Sequence, residues 1–331
     1  MQSVQPPVRS PSVRLAVTLS HTGGLPARPG SSEPARLLDL AAAADDTGVD
    51  QIVLSEHVVL PEVVTGHPGA RPGDPPARFP FRPAEEYPDP LVALAAIAAV
   101  TRRARLSTNV LIAPLRAPVV LAKMAATVDV ISGGRLDLGV GIGWQRDEFA
   151  AVGVPFEGVG ARLEDAIRAC QALWRGGPST FSSDTVSFER MYCSPTPVQP
   201  EGIPVWFGGS ARPVVARRVA ELGQGWSAMG NTPPADVAAG VELIRRHCAR
   251  IGRSPDGIDV RCSLPLVTRG DGTADIVATV RGAADYVAAG ATVVQLPPLL
   301  RFVTTAADVA PALTDAVAAL TPVRPTPPRA S

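Results

Sequence analysis

The sequence is poor in the features that mark several classes of protein. Its four cysteines form no CxxC pair, which argues against a zinc site and is typical of reduced thiols in a cytoplasmic protein. No run approaches ~18 consecutive apolar residues, so no membrane-spanning helix is expected. The first residues also lack the pattern of a secretory signal. Lys plus Arg and Asp plus Glu number 31 each, which leaves no surplus positive charge for nucleic acid or an anionic membrane.

Two motifs of common enzyme folds are missing as well. No GxGxxG opens the first predicted helix, and the chain contains no GxSxG. What is present is an alternation, repeated eight times, of short β-rich apolar runs with alanine-rich helical segments. This order requires parallel strands with right-handed crossovers. It predicts an α/β fold, a (β/α)8 TIM barrel over residues 14–320, with an open doubly wound sheet in two domains as the alternative.

The predicted elements follow from apolar runs and from proline and glycine positions. Strands are expected at 14–20, 52–54, 106–113, 136–141, 205–207, 226–228, 258–268 and 292–296. Helices are expected at about 34–46, 90–101, 119–131, 162–174, 213–221, 235–251, 274–289 and 306–320. Residues 1–13 and 321–331 are rich in proline and are predicted to be flexible. Long loops at 20–33 and 58–89 and an irregular insertion at 176–202 are expected to wall a binding site.

Candidate catalytic residues follow the first and second predicted strands, where a barrel of this kind carries its active site. Glu56 and His57 come directly after the second strand. A histidine beside a carboxylate can move protons near neutral pH, although a half-buried histidine bonded to a backbone carbonyl is the alternative. His21, after the first strand, is a further candidate.

Glycines dominate the ends of the fourth and fifth predicted strands. Gly139, Gly141 and Gly143 alternate before Trp144, which predicts either a floor for a flat aromatic ligand or tight packing of the barrel. Gly208, Gly209 and Ser210 precede a helix, an arrangement that predicts a phosphate site with Arg212 nearby. The alternative is that Ser210 simply caps the helix. Asp147 and Glu148 also follow Trp144, but no spacing assigns them a partner.

These segments resemble the luciferase-like flavin and deazaflavin oxidoreductases. The similarity is carried by residues 53–61, 106–118, 121–144 and 203–226. The most specific part is the pattern Asp-x-x-Ser-Gly-Gly-Arg-Leu-x-Leu-Gly-x-Gly-x-Gly-Trp at residues 129–144. The Ser-Gly-Gly-Arg part is expected to be a turn at the opposite, amino-terminal face of the barrel, with Arg135 paired to Asp129. The resemblance implies a (β/α)8 barrel with a flavin-type cofactor at the carboxyl ends of the strands.

The resemblance also implies roles for individual residues. A non-prolyl cis peptide bond or bulge at Asn109–Val110 would support the cofactor ring, and His57 would lie beside that ring as the proton donor. Trp144 stands where sugar-phosphate dehydrogenases of the family have a catalytic Glu, which argues against sugar-phosphate chemistry. The complete expected site has no metal and comprises catalytic His57 and Glu56, cofactor-binding His57, Asn109, Val110, Gly141, Gly143, Gly208, Gly209 and Ser210, and substrate-contacting Trp144 and His21.

The similarity is greatest to the subgroup that uses coenzyme F420, which implies hydride transfer to or from a small organic substrate. A two-component monooxygenase that uses reduced FMN and oxygen is the alternative. A binding protein without a cofactor on the same barrel is a third possibility from another class. The expected partners are a small-molecule substrate, a second copy in a homodimer, and a flavin or F420 reductase that supplies electrons, but neither nucleic acid nor membrane.

Overall fold

A computed structural model describes residues 13–19, 33–62, 87–230 and 232–323. The strands in these ranges are β1 (Arg14–Thr18), β2 (Gln51–Leu54), β3 (Arg105–Thr108), β4 (Leu111–Ile112), β5 (Leu136–Gly141), β6 (Ser179–Ser182), β7 (Ser187–Met191), β8 (Val205–Gly209), β9 (Gly225–Ala228), β10 (Asp259–Ser263) and β11 (Val293–Gln295). The helices are α1 (Glu33–Asp46), α2 (Pro90–Val100), α3 (Pro118–Ser132), α4 (Arg146–Val152), α5 (Val159–Trp174), α6 (Pro213–Leu222), α7 (Pro234–Arg250), α8 (Ile276–Arg281), α9 (Ala283–Ala288) and α10 (Val309–Leu320).

The strands close into a parallel barrel. Each strand of the series β1, β2, β3, β5, β8, β9, β10 and β11 pairs in parallel with the next. The last strand returns to the first, with Arg14 opposite Val293. β4 continues the line of β3 and pairs with the end of β5. The (β/α)8 prediction is therefore confirmed.

Local sequence signals set the helix ends. The Asp89 carboxylate accepts hydrogen bonds from the backbone of Leu91 at 2.9 Å and Val92 at 3.0 Å, which starts α2 with Pro90 in its first turn. α3 begins at Pro118 and is capped after Ser132 by Gly133, whose φ of 66° is the left-handed conformation that glycine adopts without strain. The proline and glycine positions are signals from which the helices are predicted, and the Asp89 cap adds to them.

The main core lies between the barrel and the surrounding helices. It contains mostly Leu, Val, Ile and Ala side chains contributed by the outer strand faces and the inner helix faces. A second small cluster, Ala16, Val53, Trp206 and Val293, fills the barrel interior. The remaining interior positions near it are polar, and they continue towards the carboxyl ends of the strands.

Asp45, at the end of α1, ties that helix to the turn before β3. Its carboxylate accepts hydrogen bonds from the backbone of Arg102 at 2.8 Å, Arg103 at 2.9 Å and Ala104 at 2.6 Å. Burial by itself raises the pKa of Asp45, but these three N–H groups outweigh it, so its pKa is lowered. The carboxylate is therefore more stable in the folded chain than in the unfolded chain.

The structure differs from the sequence-based elements in five places. The expected strand 106–113 is interrupted at Asn109–Val110, and the expected strand 258–268 ends at Ser263. The expected helix 274–289 is two short helices that meet at Gly282, a weak helix former. The insertion 176–202 contains an antiparallel hairpin, β6 and β7, in which the rings of Phe181 and Phe188 lie 5.9 Å apart. α4 was not expected at all.

The turn at the amino-terminal face is structural, but its expected ion pair is wrong. The Arg135 side chain donates to the backbone carbonyls of residues 98, 101, 104 and 132. The Asp129 carboxylate instead accepts from the backbone of Val198 at 2.8 Å and from the Gln199 side chain at 2.8 Å. Asp129 thus fastens the insertion, and Arg135 closes the carbonyl-rich end of α2.

Parts of the expected domain layout lie outside the described residues: the segment 1–12, most of the loops 20–33 and 58–89, and residues 324–331. Residues 321–323 form a final 3-10 turn, and the domain limits stay a prediction. Among the helices that the structure describes, none is both long and apolar enough to cross a membrane.

Candidate functional site

The carboxyl ends of β2, β3, β4 and β5 bring most of the predicted residues together. The Asn109 backbone donates to Leu54 at the end of β2, at 2.8 Å, and β4 pairs with the last residues of β5. Glu56, His57, Asn109, Val110 and the glycines after β5 therefore share one mouth of the barrel. His21 lies outside the described residues, so its predicted substrate contact is untested.

His57 is held by a carboxylate from α4. Its Nδ1 lies 3.0 Å from Glu148 Oε2, and Oε1 of the same carboxylate accepts the Val58 backbone N–H at 2.7 Å. Glu148 is fully buried, and the His57 side chain is only 9% exposed. Because a carboxylate only accepts hydrogen bonds, Nδ1 carries the proton, and Nε2 is the ring atom that can exchange one with a bound molecule.

Two aromatic rings stand edge-on to the His57 imidazole. The ring of Tyr87 lies 5.3 Å from it and that of Trp144 lies 5.7 Å from it, both nearly perpendicular. These contacts fix the plane of the imidazole in addition to the Glu148 bond. The structure thus brings the predicted His57 and Trp144 together and adds Tyr87, which precedes α2.

Glu56 faces away from His57 and into the wall of the barrel. Its carboxylate accepts the Ile112 backbone N–H at 2.6 Å and pairs with Arg116. Arg116 also pairs with Asp89, the residue that caps α2. Burial lowers the pKa of Arg116, but the two carboxylates outweigh it and raise its pKa overall. These contacts give Glu56 a role in fixing β4 against β2, and its predicted part in proton transfer stays untested.

The Asn109–Val110 peptide bond is cis, as the resemblance implies. The Asn109 side chain is held on both sides: its Nδ2 donates to Gln295 Oε1 at 3.1 Å, and its Oδ1 accepts from Ser227 Oγ at 2.9 Å. Gln295 in turn donates to Thr18 Oγ1 at 2.9 Å. Side chains of β1, β9 and β11 therefore fix this segment from below.

The glycines of β5 and β8 make room for Val110. A Cβ atom on Gly141 would lie 2.5 Å from Val110 Cγ2, and one on Gly208 would lie 2.4 Å from Val110 Cγ1. Gly139 is closed in by the Thr108 carbonyl, and Gly143, at φ 74°, by Ile112 and Phe149. Tight packing, the alternative interpretation of these glycines, thus accounts for the space beside them. The half-buried Val110 is the surface that they leave at the mouth, and their predicted contacts with a cofactor are untested.

The loop after β8 is open to solvent at the start of α6. Gly208, Gly209 and Ser210 are half-buried, and Arg212 is exposed. The residue that caps α6 is Arg212, without a side-chain hydrogen bond, so Ser210 is not the helix cap. Backbone N–H groups, a hydroxyl and a guanidinium form a donor set suited to a phosphate. The Gly209 carbonyl accepts from Trp226 Nε1 at 2.9 Å, which fixes the loop to β9.

Below the mouth the barrel interior carries buried charges. Asp137 accepts two hydrogen bonds from Arg105, at 2.7 and 2.6 Å, and one from Gln51 at 2.8 Å. Burial raises the pKa of Asp137, but Arg105 outweighs it, and the pKa is lowered. Arg261 is 1% exposed and stands over the Trp206 ring at 5.2 Å. Burial lowers the pKa of Arg261 to about 10, so it is still charged at neutral pH.

Sequence reasoning missed the carboxylate that holds His57. Glu148 belongs to α4, a helix with Asp147 and Glu148 in its first turn and Gly153 at its end. Acidic residues followed by a glycine stop are a helix signal, so α4 could have been predicted. Its orientation depends on Phe149, which packs with Ile112, and no local pattern indicates that contact.

Comparison with known proteins agrees with this architecture. A family model described as luciferase-like monooxygenase matches residues 14–314. An uncharacterized protein of Mycobacterium tuberculosis is 36% identical over 171 residues, 51% of this chain and 58% of that protein. An F420-dependent glucose-6-phosphate dehydrogenase of Gordonia bronchialis is 30% identical over 202 residues, 59% of this chain and 52% of that enzyme. The chain therefore spans little more than half the length of these relatives.

Two solved structures share the fold over most of the chain. Monooxygenase RslO1 from Streptomyces bottropensis has a TM-score of 0.73 at 20% identity and covers 93% of this chain and 99% of its own. An F420-dependent secondary alcohol dehydrogenase, in complex with an F420-acetone adduct, has a TM-score of 0.71 at 13% identity. The likeness covers 93% of this chain and 99% of that enzyme's chain. At these identities the likeness concerns the fold alone.

Proposed function

Because this chain belongs to the luciferase-like monooxygenase family, we propose that it is an oxidoreductase that uses coenzyme F420 to transfer hydride to or from a small organic substrate. The observation that carries the proposal is the His57–Glu148 pair, which stands at the mouth beside the Asn109–Val110 segment. The F420-dependent relatives support this cofactor over FMN. When bound, the deazaflavin accepts or releases the hydride.

The residues at the mouth fit such a cofactor. Val110, seated on Gly141 and Gly208, offers an apolar surface on which a flat ring can lie. The loop Gly208–Arg212 offers backbone N–H groups, the Ser210 hydroxyl and a guanidinium to a phosphate. In this proposal the first of these places would hold the ring and the second the phosphate, and Gly143 stays a predicted cofactor contact.

His57 is the proposed proton donor or acceptor. Its Nδ1 is bound to Glu148, so the proton is exchanged at Nε2, and Glu148 keeps the ring in that tautomer. Glu56 acts in this scheme as a positioning residue, because its carboxylate holds β4 and Arg116. Trp144, edge-on to His57, walls the substrate space. The exposed apolar side chains of Val58, Val59 and Ile142 favour a substrate with apolar surface.

A two-component monooxygenase that uses reduced FMN and oxygen is the second candidate. It is favoured by the description of the matching family as luciferase-like monooxygenase. The same ring surface and phosphate loop would serve FMN. The monooxygenase would need a separate reductase as its source of electrons, and so would the F420 enzyme when it reduces its substrate. In the opposite direction the substrate itself supplies the hydride. The reductase belongs to the proposal.

Cofactor binding tests the proposal directly. Purified protein is titrated with oxidised and reduced F420 and, separately, with FMN, and the quenching of tryptophan fluorescence is followed. F420 is expected to bind at micromolar concentration and FMN more weakly. Oxygen uptake with reduced FMN would instead favour the monooxygenase. If neither cofactor binds at micromolar concentration, both enzyme functions are rejected and the third hypothesis, a binding protein without a cofactor, is favoured.

A matched pair of variants tests the phosphate loop. Ser210→Asp adds a negative charge where the phosphate is proposed to lie, whereas Ser210→Asn has the same size without the charge. We expect the first to weaken F420 binding at least tenfold and the second about threefold or less. If the two variants bind F420 with equal affinity, the phosphate does not lie at this loop.

A further inference from the structure

Arg261 is a fully buried guanidinium whose hydrogen bonds all go to uncharged groups. It reaches side chains and backbone of β2, β3 and β9 from its position in β10. The acceptors are Gln51 Oε1 at 3.0 Å, Ser107 Oγ at 3.0 Å, the Thr108 carbonyl at 3.1 Å and Ser227 Oγ at 3.2 Å. A buried guanidinium held only by neutral groups is costly, because desolvation of its charge is not offset by an anion.

The carboxylates of the barrel interior are engaged by other arginines. Asp137 is bound twice by Arg105, and Asp259 is paired with Arg14 at 2.5 Å. With the second pair neutral, the interior that the structure describes holds two guanidinium groups, on Arg105 and Arg261, and the single carboxylate of Asp137. Asp129, fully buried outside the barrel, also acts on Arg105. Arg261 is thus the guanidinium of this group that has no carboxylate among its hydrogen-bond partners, and Asp137 acts on it only through space.

The charge of Arg261 lies next to the Asn109–Val110 segment, where the cofactor ring is proposed to bind. Ser227 Oγ accepts from Arg261 and donates to Asn109 Oδ1. The Thr108 carbonyl that Arg261 binds belongs to the residue immediately before Asn109. One hydrogen-bond step therefore separates the guanidinium from the Asn109–Val110 segment.

We propose that Arg261 is a positioning residue that fixes the Asn109–Val110 segment. Its positive charge, which no carboxylate contacts, makes the mouth bind the anionic, deprotonated form of the cofactor ring in preference to the neutral form. The inference rests on the proposed function. Its physical basis is that an anion above the Asn109–Val110 segment would offset a buried guanidinium that is hydrogen-bonded only to neutral groups. A purely structural Arg261 would affect both ionisation states of the ring alike.

The ionisation of the bound ring in the unaltered protein is the primary test. The ring hydroxyl of oxidised F420 ionises. The visible absorbance of the cofactor is therefore followed against pH, once free in solution and once bound to the protein, and FMN is treated in the same way. We expect the bound ring to ionise at least one pH unit lower, which equals at least tenfold tighter binding of the anion. Ionisation at the same pH as the free cofactor, or higher, overturns the inference. Failure of both cofactors to bind rejects the proposed function instead.

Variants separate charge from position. Arg261→Met removes the charge and is expected to reduce the preference for the anion at least tenfold, whereas Arg261→Lys is expected to keep it within about threefold. Ser227→Ala keeps the charge but breaks the link to Asn109, so it should weaken both forms of the ring equally. If Arg261→Met does not fold, the measurement on the unaltered protein still decides. An unchanged preference in folded Arg261→Met refutes the role of the charge.

Other titrating groups near the mouth have to be separated from this effect. At the rim these groups are His57 with Glu148, and Arg116 with Glu56 and Asp89. Around the interior they are Asp137, Arg105, Arg14, Asp259 and, outside the barrel beside Arg105, Asp129. Of these, His57 is the residue proposed to exchange a proton with a molecule bound at the mouth. The same absorbance titration in His57→Gln is expected to keep the lowered ionisation of the ring. Loss of the lowering in that variant would assign it to His57 and overturn the proposal.

Discussion

Replacement of Glu148 by glutamine tests the most specific contact of the site. The amide oxygen can still accept the Val58 backbone N–H, but the amide nitrogen can only donate towards His57. The imidazole then has to accept at Nδ1 and carry its proton on Nε2. We therefore expect Glu148→Gln to reverse the tautomer of His57 while leaving the size of the side chain nearly unchanged.

The cost in stability follows from the two bonds that the carboxylate makes, at 3.0 and 2.7 Å. A hydrogen bond to a charged group contributes ~1.5–3 kcal/mol, and a neutral one ~0.5–1.5 kcal/mol. Exchange of two charged for two neutral bonds lowers the free energy of unfolding by about 2–3 kcal/mol. Against a total of ~5–15 kcal/mol, the variant is expected to fold.

The tautomer can be read from the nitrogen-15 chemical shifts of the imidazole. The chain has four histidines, so the spectrum is simple, and the signal missing in His57→Gln assigns His57. The unaltered protein is expected to carry the proton on Nδ1 and Glu148→Gln on Nε2. Urea unfolding of both proteins gives the change in stability.

Asp147→Asn is the matched control. Asp147 precedes Glu148 in α4 and is exposed. Within the described residues, its side chain accepts one hydrogen bond, from the Gln145 side chain. The control should leave the tautomer unchanged and the stability within ~0.5 kcal/mol. The reasoning is refuted if Glu148→Gln keeps the proton on Nδ1 or loses no stability relative to Asp147→Asn.

Three further predictions concern packing, acid stability and assembly. Gly208→Ala brings a Cβ to 2.4 Å from Val110 Cγ1 and should lower the free energy of unfolding, measured in urea, by ~1–3 kcal/mol. Gly230→Ala, with open space around it, should leave that free energy almost unchanged, and equal losses in the two variants would contradict the packing argument. The lowered pKa of Asp45 gives stability that is complete above about pH 4 and is lost as the pH falls through the folded-state pKa, so Asp45→Asn should lower stability at pH 7 by ~2 kcal/mol and less at pH 3. If the expected homodimer uses the apolar helix α2, where Val92 is 65% exposed, Val92→Glu should halve the mass seen by light scattering, and an unchanged dimer mass would exclude that face.

The fold was predictable because its signals are local. Pro90, Pro118 and Pro213 mark helix starts, and the alternation of strand and helix requires a parallel sheet. Element limits were less accurate where a tertiary contact decides them. The strand expected at 106–113 breaks because Val110 is seated on glycines of β5 and β8, far away in the sequence.

The candidate site was predictable only in part, for the same reason. His57 and Trp144 stand at strand ends, where position alone indicates a role. Glu148 and Arg261 gain their significance from contacts 91 and 34 residues away in sequence, with His57 and Ser227. Glu56 contacts the barrel wall, whereas Glu148 contacts His57. Which of the two carboxylates holds His57 depends on the packing of α4, and the sequence does not show that packing.

The pairing of β1 with β11 has a consequence for how the chain can be connected. The first and last strands of the barrel are paired, with Arg14 opposite Val293. Because this pairing closes the ring, the chain could in principle enter the ring at any strand. Closure of so long a loop is entropically slow, and the final sealing of the ring is the step most exposed to kinetic error. A break in the exposed β6–β7 turn, outside the ring, would leave every parallel pairing intact. The topology therefore suits circular permutation at that turn, and refolding rates of such a permutant would report how much of the folding barrier belongs to closing the ring.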